Sequence, residues 1–195
     1  MKKNLIFVLL TVAISSSCIY STQTTEAGKK TNDDLKETLY FSIAIPDSWI
    51  YEGYSATYAA DMMGYGIINA ISLYPNTFDD EEIQIDKSGV LVIVQQDQRY
   101  SIKNAPLETY VKKKISIGQE NNANFTSQEK IIVDGEEAIK VYSESVGEHT
   151  GLKYIEYFMM YNDLPYHIMY QSDQENYDKY LPEFEQMVKT FKFRD

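Results

Sequence analysis

The sequence predicts an α+β fold built around an antiparallel sheet. Short apolar runs follow one another with turn residues between them. At least two connections are short enough for hairpins. The two amphipathic helical stretches stand apart rather than alternating with the strands, which argues against a doubly wound parallel sheet. No segment repeats at a fixed period.

The strand pattern opens at Leu39–Ile45 (LYFSIAI), which Pro46 stops by removing a ladder donor. Asp47 and Ser48 form a turn, and Trp49-Ile50-Tyr51 resumes the extended chain. Strands follow at Tyr54–Tyr58 and Ile67–Tyr74, parted by Gly64 and Gly66. Gly89–Gln95 (GVLVIVQ) is apolar without alternation, the signature of a strand covered on both faces. In Pro106–Ile117, Leu107, Tyr110, Val111 and Ile115 fall on one helical stripe, and Lys112, Lys113 and Lys114 lie mostly off it. Lys130–Val133 and Glu137–Ser143 flank Asp134-Gly135, a strong two-residue hairpin signal. Lys153–Tyr161 and Tyr166–Gln171 flank a turn over Asn162-Asp163-Leu164-Pro165. Neither parity of the first of these strands is polar, so both of its faces are expected to be covered. Ser172 with Glu175 has the spacing of a capping box for a second helix. That helix carries Tyr177, Tyr180, Leu181, Phe184, Met187 and Val188, with a break expected at Pro182. Thr190–Phe193 is expected to pack back on the sheet.

The first 17 residues have the order of a secretory signal peptide. Lys2 and Lys3 precede a ten-residue apolar run, Leu5–Ile14, and then Ser15, Ser16 and Ser17. Ten residues at roughly 1.5 Å each span about half the hydrocarbon of a bilayer, too little for a permanent anchor. Cys18, the single cysteine of 195 residues, follows directly. At this position a lipoprotein signal peptidase would leave it first in the mature chain, its thiol bearing a diacylglyceryl group. The aliphatic residue of a lipobox is Ile14 here, one place early, with Ser15 where it usually stands. Simple secretion with cleavage near Ser17 and an uncleaved signal anchor are the other readings. Residues 18–37 form a polar spacer, and a single domain is expected over residues 38–195.

Charge and cysteine content narrow the function. The chain has 18 Lys and Arg against 29 Asp and Glu, a formal charge of -11. Loss of Lys2 and Lys3 with the leader leaves 16 against 29, or -13. A protein this acidic lacks the basic stripe of a nucleic-acid binder and is repelled by anionic lipid heads. One cysteine makes no internal disulfide and no cysteine-rich zinc site. There are 17 tyrosines, many of them in strands or on the helical stripes.

The order of elements resembles the PsbP-like family from residue 39 to residue 193. The matching features are Ile45-Pro46-Asp47-Ser48-Trp49 after an opening strand, a tyrosine-rich strand, the Asp134-Gly135 hairpin, the tyrosine-rich hairpin at 153–171 and the closing Lys189-Thr190-Phe191-Lys192-Phe193. The resemblance implies a central antiparallel sheet sandwiched by helices. It also implies an extracytoplasmic, often lipid-anchored protein that acts by binding rather than by catalysis.

Four groups of residues are candidates for chemistry. Phe78 is followed by Asp79, Asp80, Glu81 and Glu82, with Asp86 nearby. Several carboxylates so close suit a hard cation, Ca²⁺ or Mn²⁺. The order lacks the alternation that folds a chain around calcium, and a solvated acidic loop fits it equally. Trp49, Tyr51, Tyr54 and Tyr58 form an aromatic group suited to a small ligand. His149, at a hairpin tip, and His167, in a strand, fall on different elements and are not expected to share a metal. Asn124 begins Asn124-Phe125-Thr126, a glycosylation pattern in a chain that is exported. No Gly-x-Ser-x-Gly elbow and no phosphate-cradling glycine loop is present, so no catalytic residue is assigned.

The expected protein is a membrane-tethered, extracytoplasmic, non-catalytic accessory subunit supporting an envelope complex. The alternative is a carrier of a small ligand or a divalent metal in the cell envelope. Either is placed at the outer face of the cell membrane through a lipid anchor, or secreted.

Overall fold

The computed structural model describes residues 34–37, 40–54, 67–78, 90–97, 105–147 and 151–194. Ten strands and two helices fall within them. They are β1 (Asp34–Glu37), β2 (Phe41–Ile45), β3 (Trp49–Tyr54), β4 (Ile67–Pro75), β5 (Leu91–Asp97), α1 (Leu107–Glu120), β6 (Ala123–Val133), β7 (Glu136–Ser145), β8 (Leu152–Tyr161), β9 (Leu164–Asp173), α2 (Tyr177–Thr190) and β10 (Lys192–Phe193).

Seven strands form one sheet in the order β3-β4-β5-β9-β8-β7-β6, antiparallel throughout. A second, three-stranded sheet has the order β1-β2-β10. α1 lies on one face of the large sheet, over β6, β7 and β8. α2 lies on the other face, against β9 and β2. This is the helix–sheet–helix sandwich of the α+β reading.

The core follows from strand parity. On β8, Ile155, Tyr157 and Met159 turn towards α2, and Phe158 turns towards α1. Under α2 they join Val92 and Val94 of β5, Ile168 and Tyr170 of β9, and Phe184, Met187 and Val188 of the helix. Phe41 and Ile43 of β2 complete this larger core. Under α1 the smaller core is Leu107, Tyr110, Val111, Ile139, Val141 and Phe158. β5 has β4 on one side and β9 on the other, a central position in the sheet.

Both hairpin turns use residues with positive φ. Asp134 (50°) and Gly135 (87°) turn β6 into β7, and Asn162 (49°) and Asp163 (61°) turn β8 into β9. Two-residue turns of this hand match the right-handed twist of the strands they join. The second turn is shorter than the sequence suggests. Leu164 and Pro165 already belong to β9, and Pro165 sits at its first turn of pairing, opposite Met160.

Other expectations are revised. β1 falls inside the segment read as spacer, where it pairs antiparallel with β2. The capping box of Ser172 and Glu175 is not made. The Asp173 carboxylate accepts from the Asn176 backbone N–H (2.9 Å) instead, and α2 starts at Tyr177. Pro182 does not divide α2, which runs unbroken to Thr190. The hydrogen bond lost there is outweighed by the buried stripe of Tyr180, Phe184, Met187 and Val188. Asn124, read as following a loop, lies in β6. Phe191 is buried as expected, and β10 pairs with β2 rather than with the large sheet.

Candidate functional site

The most chemically distinct place in the fold is a recess of about 250 Å³ beside the C-terminal end of α1. α1 covers only part of its sheet face, so the recess opens where the helix stops and the strands continue. Its floor comes from three adjacent strands: Ser143 of β7, Tyr154 and Glu156 of β8, and His167 and Met169 of β9. Register places them together, since Ser143 pairs with Tyr154 and Glu156 with Met169. The wall is Lys114, Ile117 and Gly118 of α1, with Phe125 of β6. Gly118 is needed for this packing: a Cβ there would lie 2.7 Å from the Phe125 ring.

His167 anchors the floor and is almost wholly buried. Its ring stacks on Phe158 with centroids 4.6 Å apart, and Phe158 in turn meets Tyr110 of α1 edge-on. The Gln95 side-chain amide nitrogen donates to Nδ1 at 2.8 Å. Nε2 therefore carries the hydrogen and donates to Glu156 Oε2, also at 2.8 Å. Both ring nitrogens are engaged by neighbouring side chains. The carboxylate of Glu156, 17% exposed, borders the recess.

A second recess, of about 370 Å³, lies between the β6–β7 hairpin and α2, lined by Ile131, Asp134, Tyr157 and Glu185 among others. Next to it Lys140 is buried and fully engaged. Its Nζ donates to Glu185 at 3.1 Å and stands over the rings of Tyr142 and Tyr157. Burial alone would lower its pKa, but bonds to Tyr142, Tyr157 and Glu185 raise it well above the usual lysine value. This is a satisfied core lysine with no free donor role.

Of the residues singled out in the sequence, Trp49, Tyr51, Asn124 and His167 fall among those whose side chains are described. Trp49 is a core residue, packed edge-on against Tyr180, and its Nε1 donates to Glu183 Oε2 at 2.6 Å. Tyr51 is 41% exposed on edge strand β3. The Tyr54 side chain and all of Tyr58 lie outside the described residues, as do Cys18, Asp79, Asp80, Glu81, Glu82, Asp86 and His149. Asn124 is exposed on β6. Among the described residues no three His, Cys, Asp or Glu side chains converge as a metal-ligand group. Sequence reading left His167 as a strand histidine and passed over Glu156 and Gln95. The one available signal was their polarity in strands otherwise built of apolar residues.

The fold is PsbP-like, as the element order suggested. The solution structure of the cyanobacterial PsbP protein CyanoP from Synechocystis sp. PCC 6803 superposes with a TM-score of 0.54 at 12% identity, covering 87% of this chain and 98% of that one. A Pseudomonas aeruginosa protein of unknown function gives a TM-score of 0.47 at 14% identity, over 65% of this chain and 94% of the other. No family model and no curated protein matches the sequence. No helix among the described residues is long and apolar enough to cross a membrane.

Proposed function

We propose that the protein is an extracytoplasmic accessory subunit that works by binding, held at the outer face of the membrane by a lipid on Cys18. The observation that carries this reading is the PsbP-like domain, joined through a polar segment to a signal-like leader that ends at the single cysteine. The hydrophobic surface supports a binding role. Ile50 and Tyr51 are exposed apolar side chains on β3, the first strand in the order of the large sheet.

Mass spectrometry of the mature protein and co-purification from membranes test the proposal together. The expected result is a diacylglyceryl-modified Cys18 and one stoichiometric envelope partner. Cys18→Ala is expected to move the protein from the membrane to the soluble fraction. An unmodified N-terminus rejects the anchor, and a free monomer in gently solubilised membranes rejects the accessory role.

A further inference from the structure

We infer that the recess beside the C-terminal end of α1 is a binding site for a small primary organic ammonium. Three independent features favour a cation there. Glu156 presents a carboxylate at the border, and its hydrogen bond from His167 engages Oε2, leaving Oε1 available as an acceptor. The last turn of α1 adds the negative end of a helix dipole and contains no basic residue. The remaining surface suits an alkylammonium, with the aromatic rings of Phe125 and Tyr154, the thioether of Met169 and the hydroxyl of Ser143.

The donor set separates an organic cation from a metal ion. A divalent metal needs several oxygen or nitrogen ligands at once. Here one carboxylate faces aromatic and aliphatic carbon, and the neighbouring imidazole presents an N–H rather than a lone pair. An ammonium donates to the carboxylate and to a hydroxyl while its alkyl part lies on the rings. At about 250 Å³ the recess is smaller than the pockets that hold drug-sized ligands, which sets the ligand as a compact amine.

Lys114 is the built-in competitor. It lies on the wall, yet its ammonium stands 5.6 Å over the Tyr110 ring, one turn back towards the helix N-terminus. Side chains of a helix lean in that direction, so Lys114 is drawn away from the C-terminal turn.

The test is a titration of the full chain in detergent with n-butylammonium chloride, followed through backbone amide shifts of Ser143, Glu156, His167 and Gly118. Saturable shifts confined to the recess are expected, with none from butyrate. Glu156→Gln keeps a carbonyl to accept from His167 and is expected to weaken binding about tenfold or more. Lys114→Gln, on the rim, is expected to strengthen it about twofold to threefold by removing a competing cation. Unsaturable shifts, equal binding of butyrate, or undiminished binding by folded Glu156→Gln would overturn the inference. If Glu156→Gln does not fold, weaker binding by Lys114→Gln overturns it instead.

Discussion

Alkaline pH should unfold this protein cooperatively, and the buried tyrosines set the window. Tyr157 and Tyr170 pack against Phe184 of α2, and Tyr177, the first residue of that helix, packs against Tyr170. Burial is the largest cause in each case, and it raises all three phenols above the usual value of 10.0. For Tyr177 the shift reaches about 12. A raised pKa means that the unfolded chain loses its proton first. The stabilisation is complete below pH 10 and disappears as pH climbs through the folded value. For Tyr177 this corresponds to about 3 kcal/mol at most. Its partial exposure lets solvent screen about half of this, leaving about 1 kcal/mol. Tyr170, which is fully buried, contributes with the same sign, as does Lys140, whose raised pKa favours the folded state below the lysine range. Against a total stability of about 5–15 kcal/mol, contributions of this sign add up to weaken the fold as pH climbs. The assay is a pH titration read by far-ultraviolet circular dichroism and by tyrosinate absorbance. Both signals should change together between pH 10 and 12, and Tyr177→Phe should unfold at higher pH than the parent. Gradual tyrosinate formation around pH 10 with unchanged dichroism would refute the burial argument.

Phe184→Ala should cost about 3–5 kcal/mol in urea unfolding, because the ring is fully buried and stacks on Tyr170 at 4.9 Å. Trp49→Phe should cost about 1–2 kcal/mol by the same measurement, since it keeps the packing against Tyr180 but removes the donor to Glu183. Asp134→Ala should cost about 1–2 kcal/mol and speed proteolysis of the C-terminal strand. Asp134 holds a positive φ, and its carboxylate accepts from Lys192 Nζ (2.6 Å) and the Phe193 backbone N–H (2.9 Å). Asp134→Asn, which tolerates the turn, should lose less than the alanine variant.

Much of the fold was legible because its signals are local. Asp134-Gly135 names its turn by the φ each residue accepts, and the stripe from Tyr177 to Val188 names its buried face by spacing. Pro182 shows where local rules mislead. Its cost is local, while the burial that outweighs it comes from strands far along the chain. The capping box failed for a similar reason, since the helix starts later, at Tyr177, and the Asp173 carboxylate accepts from the Asn176 N–H ahead of it. Trp49 looked like a ligand-facing aromatic on composition, but Glu183 and Tyr180 enclose it from 134 and 131 residues away. The candidate recess was not legible at all. Nothing in the residues around Gln95, Glu156 or His167 says that they meet.

By itself the sequence determined the fold class, most of the elements, the hairpin turns and the apolar face of each helix. Those depend on periodicity and on backbone preferences within a few residues. The tertiary structure alone decided that β10 joins β2, that Asp134 ties down the chain end, and that Gln95, His167 and Glu156 form one hydrogen-bonded line. These depend on strand order and register, which bring residues 72 and 11 positions apart to 2.8 Å. A one-residue slip in either pairing would put the same side chains on opposite faces of the sheet.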